Sequence, residues 1–200
     1  MPKIIDKEER MNMILRKAIE VFSEVGYKDA NLSLIAEECN LSRPTVYQYF
    51  KDKKEIYYYA VKKISDEMYS RYSVIAFRKD ENEDEIDKLN LIIEDIFFFA
   101  KKNDSALSNL VEFILAEKKS GVDVYSTIMS RTAKLRLLIK RLLLKGIQNG
   151  RIKECDVEKV GDEIYSLVQA ECFQVGFFRN YTTEEASSTL FSFISNYRKN

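Results

Sequence analysis

Residues 31–53 read NLSLIAEECNLSRPTVYQYFKDK and contain two short helical patterns separated by a turn. Asn31 is a good N-cap for the first pattern, in which apolar side chains recur every three or four residues. These apolar positions are Leu32, Ile35, Ala36 and Cys39. Asn40 tolerates the left-handed conformation that a tight helix exit needs. Ser42 can cap the second pattern, and Pro44 is tolerated in its first turn, where backbone amides have no intrahelical acceptor. The stretch therefore predicts a helix-turn-helix.

The second helix of this motif has two different sides. At about 100° per residue, Val46 and Phe50 fall on one side, which we expect to pack on the neighbouring helices. Thr45 and Gln48 fall on the opposite side, and a helix-turn-helix places that side in the major groove of DNA. Gln48 can then hydrogen-bond to an adenine edge, and Thr45 can contact a base. The hydroxyls of the flanking Tyr47 and Tyr49 can donate hydrogen bonds to phosphates. The alternative is a helical hairpin within an ordinary core, in which the tyrosines only pack.

The candidate DNA contacts extend to both sides of the second helix. Asn31 and Ser33 open the supporting helix, and Arg43 can reach guanine or phosphate. Lys53 begins the next helix, where free amides and the helix dipole add to its attraction for a phosphate. The predicted DNA-binding set is Asn31, Ser33, Ser42, Arg43, Pro44, Thr45, Tyr47, Gln48, Tyr49 and Lys53.

Composition favours an all-α protein. The 200 residues include 6 glycines and 2 prolines, so long unbroken helices are expected. The first helix is predicted from about Lys7 to Val25, ended by Gly26, and the fourth from about Lys53 to Phe77, which alone would join the two parts of the protein. Further helices are predicted over 85–102, 105–119, 122–149, 156–179 and 183–198. No apolar run of about 18 residues occurs and no signal peptide is recognised, so we expect a cytoplasmic protein without a membrane segment.

The charge distribution and the residue types present limit the functions that the protein can have. The formal net charge is zero, which on its own argues against nucleic acid, but residues 43–63 carry six basic and two acidic side chains. The chain has no histidine, which removes the commonest general base and metal ligand. The three cysteines, Cys39, Cys155 and Cys172, are too far apart in sequence for a metal site and are expected to be free thiols. We therefore expect no metal and no cofactor.

Several of these residues together resemble the N-terminal domain of the TetR family of bacterial transcriptional regulators. The resemblance covers about residues 8–60 and depends on Gly26-Tyr27, on NLSLIA at 31–36, on LSRPTVYQYF at 41–50, and on Lys53 and Ile56. It implies a three-helix DNA-binding domain in residues 1–60, with its motif at 31–50, followed by a larger helical effector-binding and dimerisation domain in 61–200. It further implies a homodimeric, ligand-responsive repressor that binds a palindromic operator and is released by a small molecule. Pro44 stands where the family more often has glycine.

The second domain offers two sets of candidate residues. The resemblance implies that the last two long helices pair across a two-fold axis, and the predicted interface is Tyr165, Phe173, Phe177, Leu190, Phe193 and Ile194. The alternative is that these helices form a wholly intramolecular core. Abundant aromatic residues favour a hydrophobic effector, although each of them can equally be a core residue. The predicted effector pocket is Phe97, Phe113, Arg131, Lys134, Phe173 and Phe177.

Residues 124–153 carry eight basic side chains and no acidic one. A solvated face is one interpretation, and a pocket for an anionic acyl or carboxylate effector near Arg131 and Lys134 is the other. One alternative function is that of an enzyme, but the sequence has no glycine-rich phosphate loop, no nucleophile elbow and no cluster of residues at metal-ligand spacing. The second alternative is a helical protein-interaction module that does not bind DNA. Salt-dependent binding to duplex DNA would distinguish a DNA-binding regulator from such a module.

Overall fold

The computed structural model describes residues 7–79 and 83–199, and for residues 124–131 the backbone alone. This part of the chain is helical, as the sequence predicts, and its one β-type pairing is an isolated bridge between Ile152 and Arg198. The helices are α1 Lys7–Asp29, α2 Leu32–Glu38, α3 Arg43–Tyr47, α4 Lys53–Phe77, α5 Glu85–Lys102, α6 Asp104–Lys119, α7 Val124–Gln148, α8 Val157–Phe177 and α9 Thr183–Ser195. None of the described helices is long and apolar enough to cross a membrane.

Local sequence signals set several of the helix ends. The side chains of Asp84, Asp156 and Thr182 accept hydrogen bonds from the first amides of α5, α8 and α9. Gly26 has φ 81° and ψ 160°, a conformation that only glycine adopts without strain. It breaks α1 where the sequence predicts the end of that helix, and one further helical turn follows.

The chain divides into two compact units. The first unit comprises the residues up to Asp66 together with Ser108–Val124, and the second comprises Glu67–Leu107 and the residues from Tyr125 onward. The sequence assigns 1–60 to one domain and 61–200 to the other, so the structure adds most of α6 to the first unit. Helix α4 is therefore not the only helix shared by the two units, because α6 also has residues in both.

Each unit has its own hydrophobic core. In the first unit, apolar side chains of α1, α2, α3 and α4 pack with Phe113 of α6. In the second unit, the core consists of one side of each of α5, α7, α8 and α9, together with the end of α4. Cys39 is buried in the first core, and all three cysteines are free thiols.

Arg198, near the end of the described chain, forms two ion pairs with the start of α5. The Arg198 guanidinium donates to Asp84 Oδ2 at 2.6 Å and to Asp87 Oδ1 at 2.7 Å. These two carboxylates form the capping box of α5. Burial opposes the charged form of Asp87, but hydrogen bonds from Arg198 and from the Asp84 amide outweigh it and hold the pKa of Asp87 below its ordinary value.

We expect Arg198→Ala to lower the free energy of unfolding at pH 7 by about 1 kcal/mol, because the guanidinium is exposed enough for solvent to screen both pairs. A depressed folded pKa contributes stability that is complete above the unfolded pKa, about 4 for an aspartate, and that is lost as the pH falls through the folded pKa. The difference between Arg198→Ala and the wild type should therefore close in acid. Urea unfolding measured from pH 7 downward checks this.

The matched control is Lys199→Ala, which removes an exposed cation from the adjacent position. It should unfold like the wild type at every pH. A difference between Arg198→Ala and the wild type that persists unchanged in strong acid would contradict the assignment to these carboxylates.

Candidate nucleic-acid interface

The turn between α2 and α3 is built as the sequence predicts. Asn31 Oδ1 accepts hydrogen bonds from the Ser33 and Leu34 amides at 2.9 and 3.1 Å and so caps α2. Asn40 has φ 52°, in the left-handed region, and the amide of Leu41 returns to the Ala36 carbonyl at 2.8 Å. The chain thus leaves α2 sharply and enters α3.

Helix α3 is short and is held by its neighbours. Ser42 caps it, with its Oγ accepting from the Thr45 amide at 3.2 Å, and Pro44 lies in the first turn. Val46 and Phe50 are 0% and 1% exposed in the core of the first unit. A five-residue helix is not stable in isolation, so the burial of these two side chains fixes which side of α3 faces outward.

The outward side of α3 carries the predicted DNA contacts. Arg43, Pro44, Tyr47 and Gln48 are exposed, and Thr45 and Tyr49 are half-buried. The Arg43 guanidinium lies 5.5 Å from the centre of the Tyr47 ring and donates to its hydroxyl at 3.2 Å. The Ser42 and Thr45 hydroxyls share a hydrogen bond of 2.7 Å. Asn31, Ser33 and Ser42 are also exposed. All the predicted DNA-contacting residues except Lys53 therefore lie on α2, on α3 or at an end of one of them, and each has at least part of its surface accessible to solvent.

Lys53 has a structural role that the sequence did not reveal. Its ammonium donates to the carbonyls of Tyr27 and Lys28 at 2.8 and 2.9 Å and lies 4.7 Å from the centre of the Tyr27 ring. Burial lowers the pKa of this ammonium. Two of its three donors are thus used on the end of α1, whereas Lys51 is an exposed cation near the end of α3.

Sequence reasoning also missed the contacts that α6 makes in the first unit. Asn109 and Glu112 accept hydrogen bonds from the amides of Tyr27 and Lys28, and Glu117 pairs with Lys54 at 2.5 Å. The ring of Phe113 lies 5.3 Å from that of Tyr27. Helical periodicity places these four α6 residues on a helix but carries no information about which distant segment they meet.

The predicted effector-pocket residues differ in burial and belong to both units. Phe97 is fully buried in the core of the second unit, and Phe113 is buried in the core of the first. Phe173 and Phe177 are exposed and stack on each other with ring centres 4.6 Å apart. Lys134 is exposed, with its ammonium 5.5 Å from the Tyr69 ring, and the side chain of Arg131 lies outside the described residues. Within the second unit, Phe97 is therefore a core residue, whereas Phe173 and Phe177 are surface residues.

A charged cleft occurs in the second unit. It has a volume of about 440 Å³ and is lined by five basic side chains, three carboxylates and an amide. The lining residues are Arg78, Lys79, Glu83, Asp84, Glu85, Lys88, Lys145, Asn149 and Arg151. Its polar lining does not match the hydrophobic pocket expected from the aromatic content. Among the described side chains, no group of three acidic or cysteine residues is placed to hold a metal ion.

The predicted dimer residues separate into two groups. Tyr165, Leu190 and Ile194 are buried in the core of their own unit, so the prediction that they face a partner is not supported. Phe173 and Phe177 are exposed beside Phe178 at the end of α8, and we call these three residues the aromatic surface. Phe193 is half-buried and lines an open groove of about 580 Å³ with Leu167 of α8.

Comparison with known proteins agrees with the helix-turn-helix. The sequence model described as "Bacterial regulatory proteins, tetR family" matches residues 14–59, which include α2 and α3. Over 65 residues the chain is 38% identical to the HTH-type transcriptional regulator HbdR of Aromatoleum sp. (strain CIB). That alignment covers 32% of this chain and 28% of HbdR.

Solved structures match over nearly the whole chain. A TetR transcription regulator from Haloarcula marismortui has a TM-score of 0.82 at 16% identity, over 96% of this chain and 100% of that one. The transcriptional regulator FadR from Bacillus subtilis, solved in complex with stearoyl-CoA, has a TM-score of 0.74 at 23% identity, over 92% and 96% of the two chains. At these identities the likeness shows the fold. The family match to residues 14–59, the HTH-type relative and the geometry of α2 and α3 together support a transcriptional regulator of the TetR family.

Proposed function

We propose that the protein is a ligand-responsive repressor that binds a palindromic operator as a homodimer and is released by a small hydrophobic effector. The observation that carries the DNA-binding part is the division of α3 into two sides. Val46 and Phe50 anchor one side in the core, and the other side presents hydrogen-bonding and cationic groups to solvent. A helix of this kind docks in the major groove with its exposed side on the base edges.

Each exposed group of α3 has a definite task in that arrangement. Gln48 can bond both the N6 and N7 positions of an adenine, and Arg43 can bond guanine or a phosphate. Tyr47 and Tyr49 lie at the flanks, where phenolic hydroxyls meet phosphates. Pro44 has no amide to donate, so its contact with DNA is limited to its ring and its carbonyl.

We predict that wild-type protein enriches a specific duplex from a random library, and that Arg43→Ala and Gln48→Ala each weaken binding to that duplex by on the order of tenfold or more. Fluorescence anisotropy on the selected duplex, repeated over a salt series, measures both the affinity and its salt dependence. If Arg43 meets a phosphate, its loss reduces the salt slope by about one.

The charge-matched control is Arg141→Ala, which removes an exposed arginine of α7 in the second unit and should leave affinity unchanged. Failure of the wild type to enrich any duplex would reject DNA binding and favour a helical interaction module.

The aromatic surface supports dimerisation through α8. Its three phenylalanines are 39% to 54% exposed, and a cluster of exposed aromatic rings is typical of a protein interface. Ala170, one turn before Phe173 and two turns before Phe177, is exposed and extends this surface along the same side of α8. A two-fold dimer would present two α3 helices to the two halves of a palindrome.

We predict that Phe173→Lys combined with Phe177→Lys raises the dimer dissociation constant by on the order of 30-fold or more, because buried interface aromatics each contribute at least about 2 kcal/mol when they are hot spots. Sedimentation equilibrium measures the change. Phe98→Lys replaces another exposed phenylalanine, on α5 of the same unit, and should leave the dimer intact. A wild type that remains monomeric throughout the concentration range would overturn the proposed dimer.

The effector part draws on what is known of FadR from Bacillus subtilis, whose structure contains stearoyl-CoA. A long acyl thioester is hydrophobic along its chain and anionic at its other end, so it is the first class to test. It can release DNA only if it binds the released state better than the DNA-bound state.

We therefore expect stearoyl-CoA to weaken binding of the selected duplex by about 5- to 150-fold, the range of typical allosteric coupling. Anisotropy titrations with stearoyl-CoA and with free CoA separate recognition of the acyl chain from recognition of the nucleotide portion. Equal duplex affinity with and without stearoyl-CoA would exclude long acyl thioesters as effectors.

A further inference from the structure

The corner between α1 and α2, residues 26–30, is held by side chains from elsewhere in the first unit. Gly26 interrupts the helix, and the amide of Ala30 returns to the Gly26 carbonyl at 3.2 Å. Asn31 follows directly as the N-cap of α2. The geometry of this corner therefore sets where α2 begins, and α2 leads into α3.

Two amides just after the break bond to α6. In an unbroken helix, the amides of Tyr27 and Lys28 would donate to the carbonyls four residues earlier. Here the Tyr27 amide donates to Asn109 Oδ1 at 2.7 Å, and the Lys28 amide donates to Glu112 Oε2 at 2.8 Å. Asn109 and Glu112 are three residues apart on one side of α6, so a single helix face supplies both acceptors.

Asn109 also reaches the residue on the other side of the break. Its Nδ2 donates to the Phe22 carbonyl at 2.6 Å, so one amide side chain connects the backbone before Gly26 to the backbone after it. Asn109 is 4% exposed, and no water can readily replace it. A Cβ at position 26 would lie 3.4 Å from the Glu112 carboxylate, which shows how closely α6 approaches the corner.

Lys53 completes the arrangement from α4. It donates to the carbonyls of the same two residues, Tyr27 and Lys28, whose amides bond to α6. The last turn of α1 is therefore held through its amides by α6 and through its carbonyls by α4. Both sets of contacts lie within the first unit.

We propose that Asn109 is a positioning residue for DNA binding, which holds the corner in the form that aims α3 at the groove. This inference rests on the proposed DNA-binding function. Without the Asn109 amide, two buried backbone groups lose a partner, and the corner opens for a fraction of the time. The apparent affinity for DNA falls by the fraction of molecules that are no longer competent to bind.

The test compares Asn109→Ala with the wild type on the duplex selected by the wild-type protein. We expect affinity to fall by on the order of tenfold, the effect of about 1.4 kcal/mol. Amide hydrogen exchange, measured on the DNA-free protein, should accelerate at Tyr27, while the dimer mass stays unchanged. Glu112→Ala should accelerate exchange at Lys28 and weaken binding in the same direction, which keeps the proposal testable if Asn109→Ala does not fold.

Two controls separate positioning from stability. Ser108→Ala changes an exposed neighbour on α6 and should leave affinity and exchange unchanged. Ile14→Val loosens the core of the same unit away from the corner and should lower the melting temperature with little loss of affinity.

The outcomes distinguish the two proposals. If the wild type selects no duplex, the proposed function fails. If the wild type binds but Asn109→Ala and Glu112→Ala bind equally well, the positioning role is overturned. It is also overturned if exchange at Tyr27 and Lys28 is unchanged, or if Ile14→Val loses as much affinity as Asn109→Ala at an equal loss of stability.

Discussion

The burial of Val46 and Phe50 is the constraint on which the DNA-facing surface depends. Helix α3 has five residues and cannot persist without tertiary contacts. Each of the two buried side chains contributes about 1.5–3 kcal/mol relative to full exposure, and together they fix the rotation of the helix about its axis. With that rotation fixed, Arg43, Tyr47 and Gln48 are exposed.

The core of the first unit, on which α3 packs, contains a cluster of four aromatic rings. Rings of Phe22, Tyr27, Tyr57 and Phe113 pack with centres about 5 to 6 Å apart, in the tilted and edge-on arrangements that aromatic pairs prefer. Burial raises the pKa of Tyr27 to about 12, so its phenol stays neutral at ordinary pH. Tyr27 belongs both to this cluster and to the corner between α1 and α2, so Phe113 of α6 packs directly against that corner.

Local features of the sequence were sufficient for the fold of the DNA-binding region. The caps Asn31 and Ser42, the left-handed Asn40 and the break at Gly26 were all predicted, because each depends on a few neighbouring residues. The inward and outward sides of α3 were also predicted, since helical spacing alone separates Val46 and Phe50 from Gln48. The same local reasoning placed the described helices within a few residues of their observed bounds.

Contacts between distant segments could not be predicted in this way. Asn109 and Tyr27 are 82 residues apart, and nothing in either neighbourhood indicates the other. The resemblance to the TetR family implied that the last two helices pair with a partner, so Tyr165, Leu190 and Ile194 were assigned to that interface, although the core of their own unit covers them. For Lys53, position at a helix start suggested a phosphate contact, whereas its ammonium reaches backward to the end of α1.

The central claim is that the exposed side of α3 enters the major groove, and dimethyl sulfate protection of the selected duplex tests it most directly. The reagent methylates guanine N7, an atom on the major-groove edge. If each subunit places α3 in the groove, protected guanines should fall in two segments a whole number of helical turns apart, about 10 base pairs per turn, and related by two-fold symmetry. Bound duplex whose guanines are all methylated as in free DNA would contradict the account.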